Sequence, residues 1–310
     1  MRKHRMFVLG ASLLTLAIVA AACSSGGGGS TSTTPTATTA KGTLVVGVSG
    51  NFAENQLVAE MYAQVLEHAG YTVKRELEIA TREVGNTALA DGQIDLKPEY
   101  TGFDLPDYNK NGVTNGSPAA VATALGKAVA SKGLVTYAFS PANSTNVFVT
   151  LPATAQKDHL TDLSSLAAVA GQLTLGVPPD CPTADFCIPG LKKTYGITFG
   201  NVKLLDSGGP KTVAAIDAGA VDVGELFSLD PTITDKGYTV LVDDKHLQAD
   251  GNFIPVVRKA VDSAELRTLL DGVTKTLTDD NMREMVGKVQ NDHEDPSTVA
   301  QQYLQQQGLI

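Results

Sequence analysis

The sequence predicts an α/β chain of two similar lobes facing each other across a cleft, and two observations carry that expectation. One phrase occurs twice, as Ala88-Leu89-Ala90-Asp91-Gly92-Gln93-Ile94-Asp95-Leu96 and as Ala215-Ile216-Asp217-Ala218-Gly219-Ala220-Val221-Asp222-Val223. In each copy a helix ends in small and aliphatic residues, a glycine stops it, and a short aliphatic strand with a central Asp follows. The opening strands also match, Leu44-Val45-Val46-Gly47-Val48 against Leu173-Thr174-Leu175-Gly176-Val177. A repeat this long is not a solenoid period, so it points to a duplicated lobe. Chance recurrence of a strand–glycine pattern is the plainer alternative. Tyr100 and Phe227 fall in register beyond the two copies, as facing aromatics, one per lobe.

Taken in order, the elements alternate as such lobes require. Residues 44–48 read as a buried parallel strand. A helix from about 54 follows, with Leu57, Val58, Met61, Tyr62, Val65, Leu66 and Ala69 on one face at helical spacing, and Gly70 stops it. Residues 72–79 alternate as a strand, Thr81 caps a helix over 83–90, and 94–96 is a short strand. Strand–helix–strand succession means a parallel sheet with crossovers. An amphipathic helix over 117–131 and a strand over 134–139 complete this half.

Residues 143–150 carry the chain across. A helix at 163–170, strands at 173–177, 203–205, 221–223 and 240–242, and a helix from 211 then repeat the plan. Residues 253–257 return, and tail helices at 263–277, 279–289 and 296–306 fold back on the first half. Lobe 1 is thus 42–146 plus 254–310, and lobe 2 is 147–253, hinged at two crossings.

The N-terminal segment reads as an address. Arg2, Lys3 and Arg5 precede an apolar stretch over 7–19 that is short for a stable span. Ala20-Ala21-Ala22 before Cys23 is similar to a bacterial lipobox, although such boxes more often have Leu where Ala20 stands. The expectation is a signal peptide over 1–22 and lipidation of Cys23 as a thioether. An ordinary signal peptide with an incidental Cys is the alternative. Residues 23–41, rich in Gly, Ser and Thr, form a flexible tether with a reach of about 20–25 Å. The chain carries 24 Lys and Arg against 33 Asp and Glu, and loses three basic residues with the leader. That balance argues against nucleic-acid binding, which needs a cationic surface.

Cys181 and Cys187 remain, in a proline-rich loop. Outside the cytoplasm so close a pair is most simply a disulfide that fixes loop shape, contributing about 2–3 kcal/mol. A metal pair is the alternative, but no His lies nearby.

Catalytic constellations are sparse. His68, His159, His246 and His293 show no ligand spacing. Asp95 with Glu99, and Asp222 with Glu225, stand at equivalent strand ends, where carboxylates more often bond loop amides than act as acids. Ser207-Gly208-Gly209-Pro210-Lys211-Thr212 fails as a phosphate loop because Pro210 stands where the motif needs Gly. No catalytic residue, metal or cofactor is expected. A secreted enzyme on the same scaffold, and a lipoprotein that presents a partner surface, are the competing classes.

Longer strings carry a family likeness. Residues 52–67 (Phe-Ala-Glu-Asn-Gln-Leu-Val-Ala-Glu-Met-Tyr-Ala-Gln-Val-Leu-Glu), Thr81-Arg82-Glu83-Val84 and Ile94-Asp95-Leu96-Lys97-Pro98-Glu99-Tyr100-Thr101-Gly102 resemble the osmoprotectant substrate-binding proteins of ABC importers. So do Pro141-Ala142-Asn143-Ser144-Thr145-Asn146, Pro189-Gly190-Leu191-Lys192-Lys193-Thr194-Tyr195-Gly196 and Leu277-Thr278-Asp279-Asp280-Asn281-Met282. That family takes up glycine betaine, choline, carnitine and related quaternary amines. The resemblance implies a type II periplasmic-binding-protein fold with a hinged interlobe cleft. It also implies a monomer, lipid-anchored on the outer face of the cell membrane, delivering a small solute to a membrane permease.

The same resemblance implies a cage of tyrosines around the ammonium group, with an Arg for a carboxylate. Position by position, Lys97 and Asn146 stand where tyrosines are usual, Gly251 where an aromatic is expected, and Ala184 in place of the loop Arg. Phe52, Tyr100 and Phe227 remain, with Tyr137 nearby. The expected lining is Asn51, Phe52, Asn55, Thr81, Lys97, Tyr100, Asn143, Asn146, the loop after Cys181, Phe227 and Asn252. A cationic Lys97 in the cleft would repel a quaternary amine, so a solute other than a simple betaine is expected.

Overall fold

In the computed structural model, residues 41–49 and 52–310 are described. The leader, Cys23, most of the tether and Asn51 lie outside them. The first half comprises β1 (Thr43–Ser49), α1 (Ala53–His68), β2 (Thr72–Ile79), α2 (Arg82–Ala90), β3 (Leu96–Tyr100), α3 (Thr101–Tyr108), α4 (Pro118–Ala130) and β4 (Leu134–Thr136). The second comprises β5 (Asn146–Thr150), α5 (Pro152–Asp158), α6 (Leu163–Leu166), β6 (Thr174–Val177), α7 (Ile188–Gly190), β7 (Asn201–Leu204), α8 (Pro210–Asp217), β8 (Val223–Phe227), α9 (Thr232–Asp235) and β9 (Thr239–Leu241). The chain then returns through β10 (Phe253–Arg258) and ends in α10 (Ala264–Thr274), α11 (Asp279–Gln290) and α12 (Pro296–Gln306).

The two sheets share one plan. The first is ordered β2-β1-β3-β10-β4 and the second β7-β6-β8-β5-β9. In each, three parallel strands are followed by an antiparallel one supplied by a crossing segment, β10 in the first sheet and β5 in the second.

The repeated phrase has a physical cause in both. Asp95 accepts from the Val45 amide at 2.9 Å and donates its own amide to the Val45 carbonyl at 2.8 Å. Asp222 does the same with Thr174, at 2.8 and 2.9 Å. Gly92 and Gly219 end their helices at φ +77° and +63°, where a side chain would be strained. The strand glycines match as well. A Cβ on Gly47 would meet Ile94 Cδ1 at 2.6 Å, and one on Gly176 would meet Leu205 at 2.9 Å and Val221 at 3.1 Å.

Packing follows the sheets. The apolar face of α1 (Leu57, Val58, Met61, Tyr62, Leu66) is fully buried against β1 and the tail helices, where Leu270, Met282 and Leu304 meet it. The tail helices therefore belong to the first sheet's core. A separate core around Phe148, Leu166, Leu175 and Leu191 sits on the second sheet, and the joined pair Cys181–Cys187, Cα atoms 5.2 Å apart, packs into it.

Helix α3 falls in a stretch to which the sequence assigns no element, between the strand ending at 96 and the helix beginning at 117. Gly102 and Pro106 disfavour a helix locally, but tertiary contact demands the glycine: a Cβ there would meet Thr114 O at 2.5 Å and Asp250 O at 2.7 Å.

The crossing segments are tied to each other. The Ser144 amide donates to Gly251 O at 3.0 Å, the Gly251 amide to Asn143 Oδ1 at 2.7 Å, and Thr145 Oγ1 to Ala249 O at 3.0 Å. Gly251 is required here, since a Cβ would lie 1.5 Å from Ser144 O.

Candidate functional site

Strands β3 and β8 end at a common cavity of about 370 Å³, within the range of small-molecule sites. Tyr100 and Phe227, the last residues of those strands, both line it, as do Phe52, Phe103 and Phe186. Phe52 stands edge-to-face against Phe227, centroids 5.6 Å apart at 72°, so a ring from before α1 meets one from β8. Tyr100 packs edge-on to Phe103 at 6.2 Å and tilted against Phe253 at 5.0 Å. Five aromatic rings therefore converge on one cavity from both halves of the chain.

Between the rings, the charged lining among the described residues is the acids Glu54, Asp180 and Glu225 and one cation, Arg82. Glu54, in the first turn of α1, is buried and accepts from Tyr100 Oη at 3.3 Å and Ser144 Oγ at 3.2 Å. Burial pushes its carboxyl above the ordinary range despite those bonds. Glu225 on β8 lies 3.2 Å from the Cys187 sulfur. Burial first, and then Asp180, push its carboxyl up to about 7. Among the described residues, no Lys or Arg forms an ion pair with Glu54, Asp180 or Glu225.

The other half of the site is built oppositely. Lys97 Nζ donates to Glu99 Oε1 at 2.6 Å, and Arg82 Nε donates to Glu99 Oε2 at 3.0 Å. Burial alone would raise the Glu99 carboxyl, but Lys97 and Arg82 together hold it below its ordinary value. Glu99 thus anchors Arg82 at the cavity, and the Arg82 Nη groups make no hydrogen bond to a described residue.

The residues singled out from sequence divide into three groups. Phe52, Tyr100, Asn146 and Phe227 line the cavity, and the loop after Cys181 contributes Phe186. Asn146 donates to Gln248 Oε1 at 3.3 Å, and Gln248 donates to the Phe186 carbonyl at 2.8 Å, so this amide also helps hold the loop.

Asn55, Thr81, Lys97, Asn143 and Asn252 do not line it. Asn55 is buried on α1. Thr81 caps α2 by accepting from the Val84 amide, which sets the helix start that carries Arg82. Lys97 is almost wholly buried and committed to Glu99, so the expected repulsion of a bound cation does not arise. Asn143 is spent on the Gly251 amide, and Asn252 donates to the carbonyls of Ser140 and Ala142 at 3.0 and 3.2 Å. Both are staples of the crossing segments. Tyr137 is also elsewhere, bonded to Asp262 beneath the Arg267 guanidinium. Asn51 and Cys23 lie outside the described residues.

Phe103, Arg82, Glu54, Asp180 and Ser207, with Ser144, Thr145 and Pro178, also line the cavity without standing out in the sequence as its lining, and so does Glu225, expected from the sequence to bond loop amides more readily than to act as an acid. A signal existed for some of them. Arg82 and Glu54 sit inside the strings that carry the family likeness, and Asp180 and Phe186 each immediately precede one of the two cysteines.

Two sheets of one plan, bridged by two tied crossings and enclosing an aromatic, acid-lined cavity, define a solute-binding protein of the two-lobed type. The family model described as the substrate binding domain of ABC-type glycine betaine transport systems matches residues 42–306. The chain belongs to that family, which is extracytoplasmic and serves ABC importers.

It is 25% identical over 268 residues to the glycine betaine-binding protein YehZ of Escherichia coli K12, covering 82% of this chain and 88% of that one. It is 27% identical over 288 residues to a glycine-betaine-binding protein of Pseudomonas aeruginosa, covering 86% and 89%. Among solved structures, a glycine betaine/carnitine/choline ABC transporter protein superposes with a TM-score of 0.77 at 22% identity, covering 86% of this chain and 99% of that one. Unliganded YehZ from Escherichia coli superposes at 0.71 with 23% identity, covering 86% and 99%. Both share the fold.

Proposed function

We propose that this chain captures a small quaternary-ammonium solute of the betaine, choline or carnitine kind between its lobes and delivers it to a membrane permease without altering it. The observation that carries the reading is the convergence on one cavity of five aromatic rings with three acids that no Lys or Arg pairs among the described residues. A quaternary ammonium offers no hydrogen to donate, so aromatic faces and negative charge are what recognise it, each desolvated cation–π contact contributing about 2 kcal/mol. Arg82, which lines the cavity and is held through Nε by Glu99, suits the carboxylate of a betaine. Relatives named for glycine betaine and carnitine agree with this choice.

The expectation of a non-betaine solute rested on a depleted cage and a free Lys97. Phe103 and Phe186 restore the ring count, and Glu99 neutralises Lys97, so both grounds fall away.

In this reading lobe 1 is 42–146 plus 254–310, lobe 2 is 147–253, and closure turns on the paired crossings at Asn143–Ser144 and Gly251–Asn252. A monomer tethered through lipidated Cys23 fits a protein that shuttles between solute and permease.

Calorimetric titration of the purified full chain with glycine betaine, choline and carnitine tests it. Micromolar binding of at least one is expected, weakened about tenfold or more in Phe227→Ala. Failure of all three to bind would overturn the reading.

A further inference from the structure

Besides its two crossings, the chain reaches from the second half into the first just beyond β8. Leu226, on that strand, lies in a core of the second half with Val149 and Ile216. Three residues on, Leu229 is 1% exposed and lies in the core of the first half, among α1 and the tail helices. Ile233 of α9 is back in the second half's core beside Tyr238. One leucine is therefore seated in the opposite half.

Ser228, at the neck of this excursion, is tied on every side. Its amide donates to Thr145 O at 2.8 Å, and its hydroxyl donates to Asn143 O at 2.8 Å and accepts from the Thr145 amide at 3.0 Å. Its carbonyl accepts from Arg283 Nε of α11 at 2.8 Å. Farther on, Asn291 of α11 donates to Asp235 of α9 at 3.2 Å. Asn143 and Thr145 are in turn bound to Gly251 and Ala249 of the other crossing. A third segment is thus tied into the hinge, and it is the one that carries Phe227, whose ring meets Phe52.

We propose, on the basis of the solute-capture reading above, that Leu229 is a stop on cleft opening. Opening parts Phe227 from Phe52 and turns the end of β8 away from α1. Leu229 rides on that same strand end, so wide opening draws it from its seat and exposes a fully buried leucine. Ser228 and Arg283 hold the neck in place. The unliganded cleft therefore rests narrow, with the rings already near their bound positions, and a solute does not have to supply that ordering itself.

The test is the interlobe distance in the unliganded chain, read by pulsed electron paramagnetic resonance. Spin labels go on Lys110→Cys and Lys192→Cys, exposed positions in opposite halves, with Cys23→Ser to keep the labelling specific. Three variants are compared. Leu229→Ala empties the seat. Arg283→Met keeps the side-chain stem but removes the donor to Ser228. Leu304→Ala makes a similar hole in the same core, away from the hinge. Wild type should give one narrow distribution. Leu229→Ala and Arg283→Met should add a population at longer distance, and choline affinity should fall about tenfold and about threefold respectively. Leu304→Ala should lower the melting temperature yet leave distances and affinity unchanged. Folded Leu229→Ala and Arg283→Met chains with wild-type distances would overturn the proposal. So would a Leu304→Ala chain that opens as far as Leu229→Ala, because general loosening of the core would then explain the effect. If choline, glycine betaine and carnitine all fail to bind while the two hinge variants still open, the solute reading falls and the stop stands.

Discussion

Strands β3 and β8 are the same element built twice, yet their carboxylates lead different lives. In the first sheet Glu99 is buried between Lys97 and Arg82 and held ionised. In the second, Gly224 aligns with Lys97, and Glu225 faces Asp180 and a disulfide sulfur with no ion-paired cation among the described residues. The backbone repeat makes the cavity, and the side-chain difference makes its polarity. One wall fixes an arginine, and the other keeps an acid whose charge is uncompensated until a cation arrives.

Breaking the first wall should cost most. Lys97→Met would leave Glu99 buried with Arg82 as its one cationic partner among the described residues, beside the Tyr100 amide. A loss of about 3 kcal/mol in chemical denaturation is expected, because removing one partner strands a buried charge. The equivalent change on the other side, Gly224→Ala, acts by overpacking instead, since a Cβ there would meet Ile216 Cδ1 at 2.5 Å. It should cost about 1–3 kcal/mol.

The shared strut comes next. Asp95→Ala and Asp222→Ala each remove a carboxylate from a half-buried strand amide, and each should cost about 1–2 kcal/mol. If only one of the two mattered, the halves would not be held together in the same way.

Glu225→Gln sharpens the comparison in a smaller measure. It should weaken binding of choline about tenfold in titration without destabilising the unliganded protein, whereas Glu99→Gln should destabilise it.

The pH dependence is the mildest effect and has a definite sign. Glu225 has a folded-state value of about 7, above its ordinary value of 4.5. The folded chain therefore holds more protons than the unfolded one between those values. This contribution to stability is complete below pH 4.5 and is lost as pH rises through 7. Asp104, lifted to about 7 by burial and then by Glu99, acts in the same direction. Thermal melting of the unliganded protein from pH 5 to 8 should show that slope reduced in Glu225→Gln and reduced again on adding Asp104→Asn. Cation affinity should run the opposite way, rising with pH as Glu225 ionises.

How much could be read in advance follows from where each interaction lies along the chain. The duplicated helix–glycine–strand unit was legible because its glycine turn is local and its strand hydrogen bonds recur with the same residue types in both halves. The aromatics at the strand ends were legible for the same reason. Lys97 misled because its partner Glu99, two residues along the strand, engages it only where burial excludes water and Arg82 closes the other side. Asn143 and Asn252 look like ligand amides in the sequence, but buried crossing segments need side-chain partners for their backbone groups, and these two supply them. Phe103 stayed hidden behind Gly102 and Pro106, whose local preference against a helix is overridden by contacts with residues 114 and 250.

The central claim is that this cleft recognises positive charge through rings and uncompensated acids. It is tested most directly by comparing choline with its uncharged carbon isostere, which carries a tert-butyl group in place of trimethylammonium. The two share shape and apolar surface, so hydrophobic burial is held constant. At pH 8, choline is expected to bind at least about tenfold more tightly than the isostere. Equal affinities would show that the cavity reads shape alone and would contradict the account.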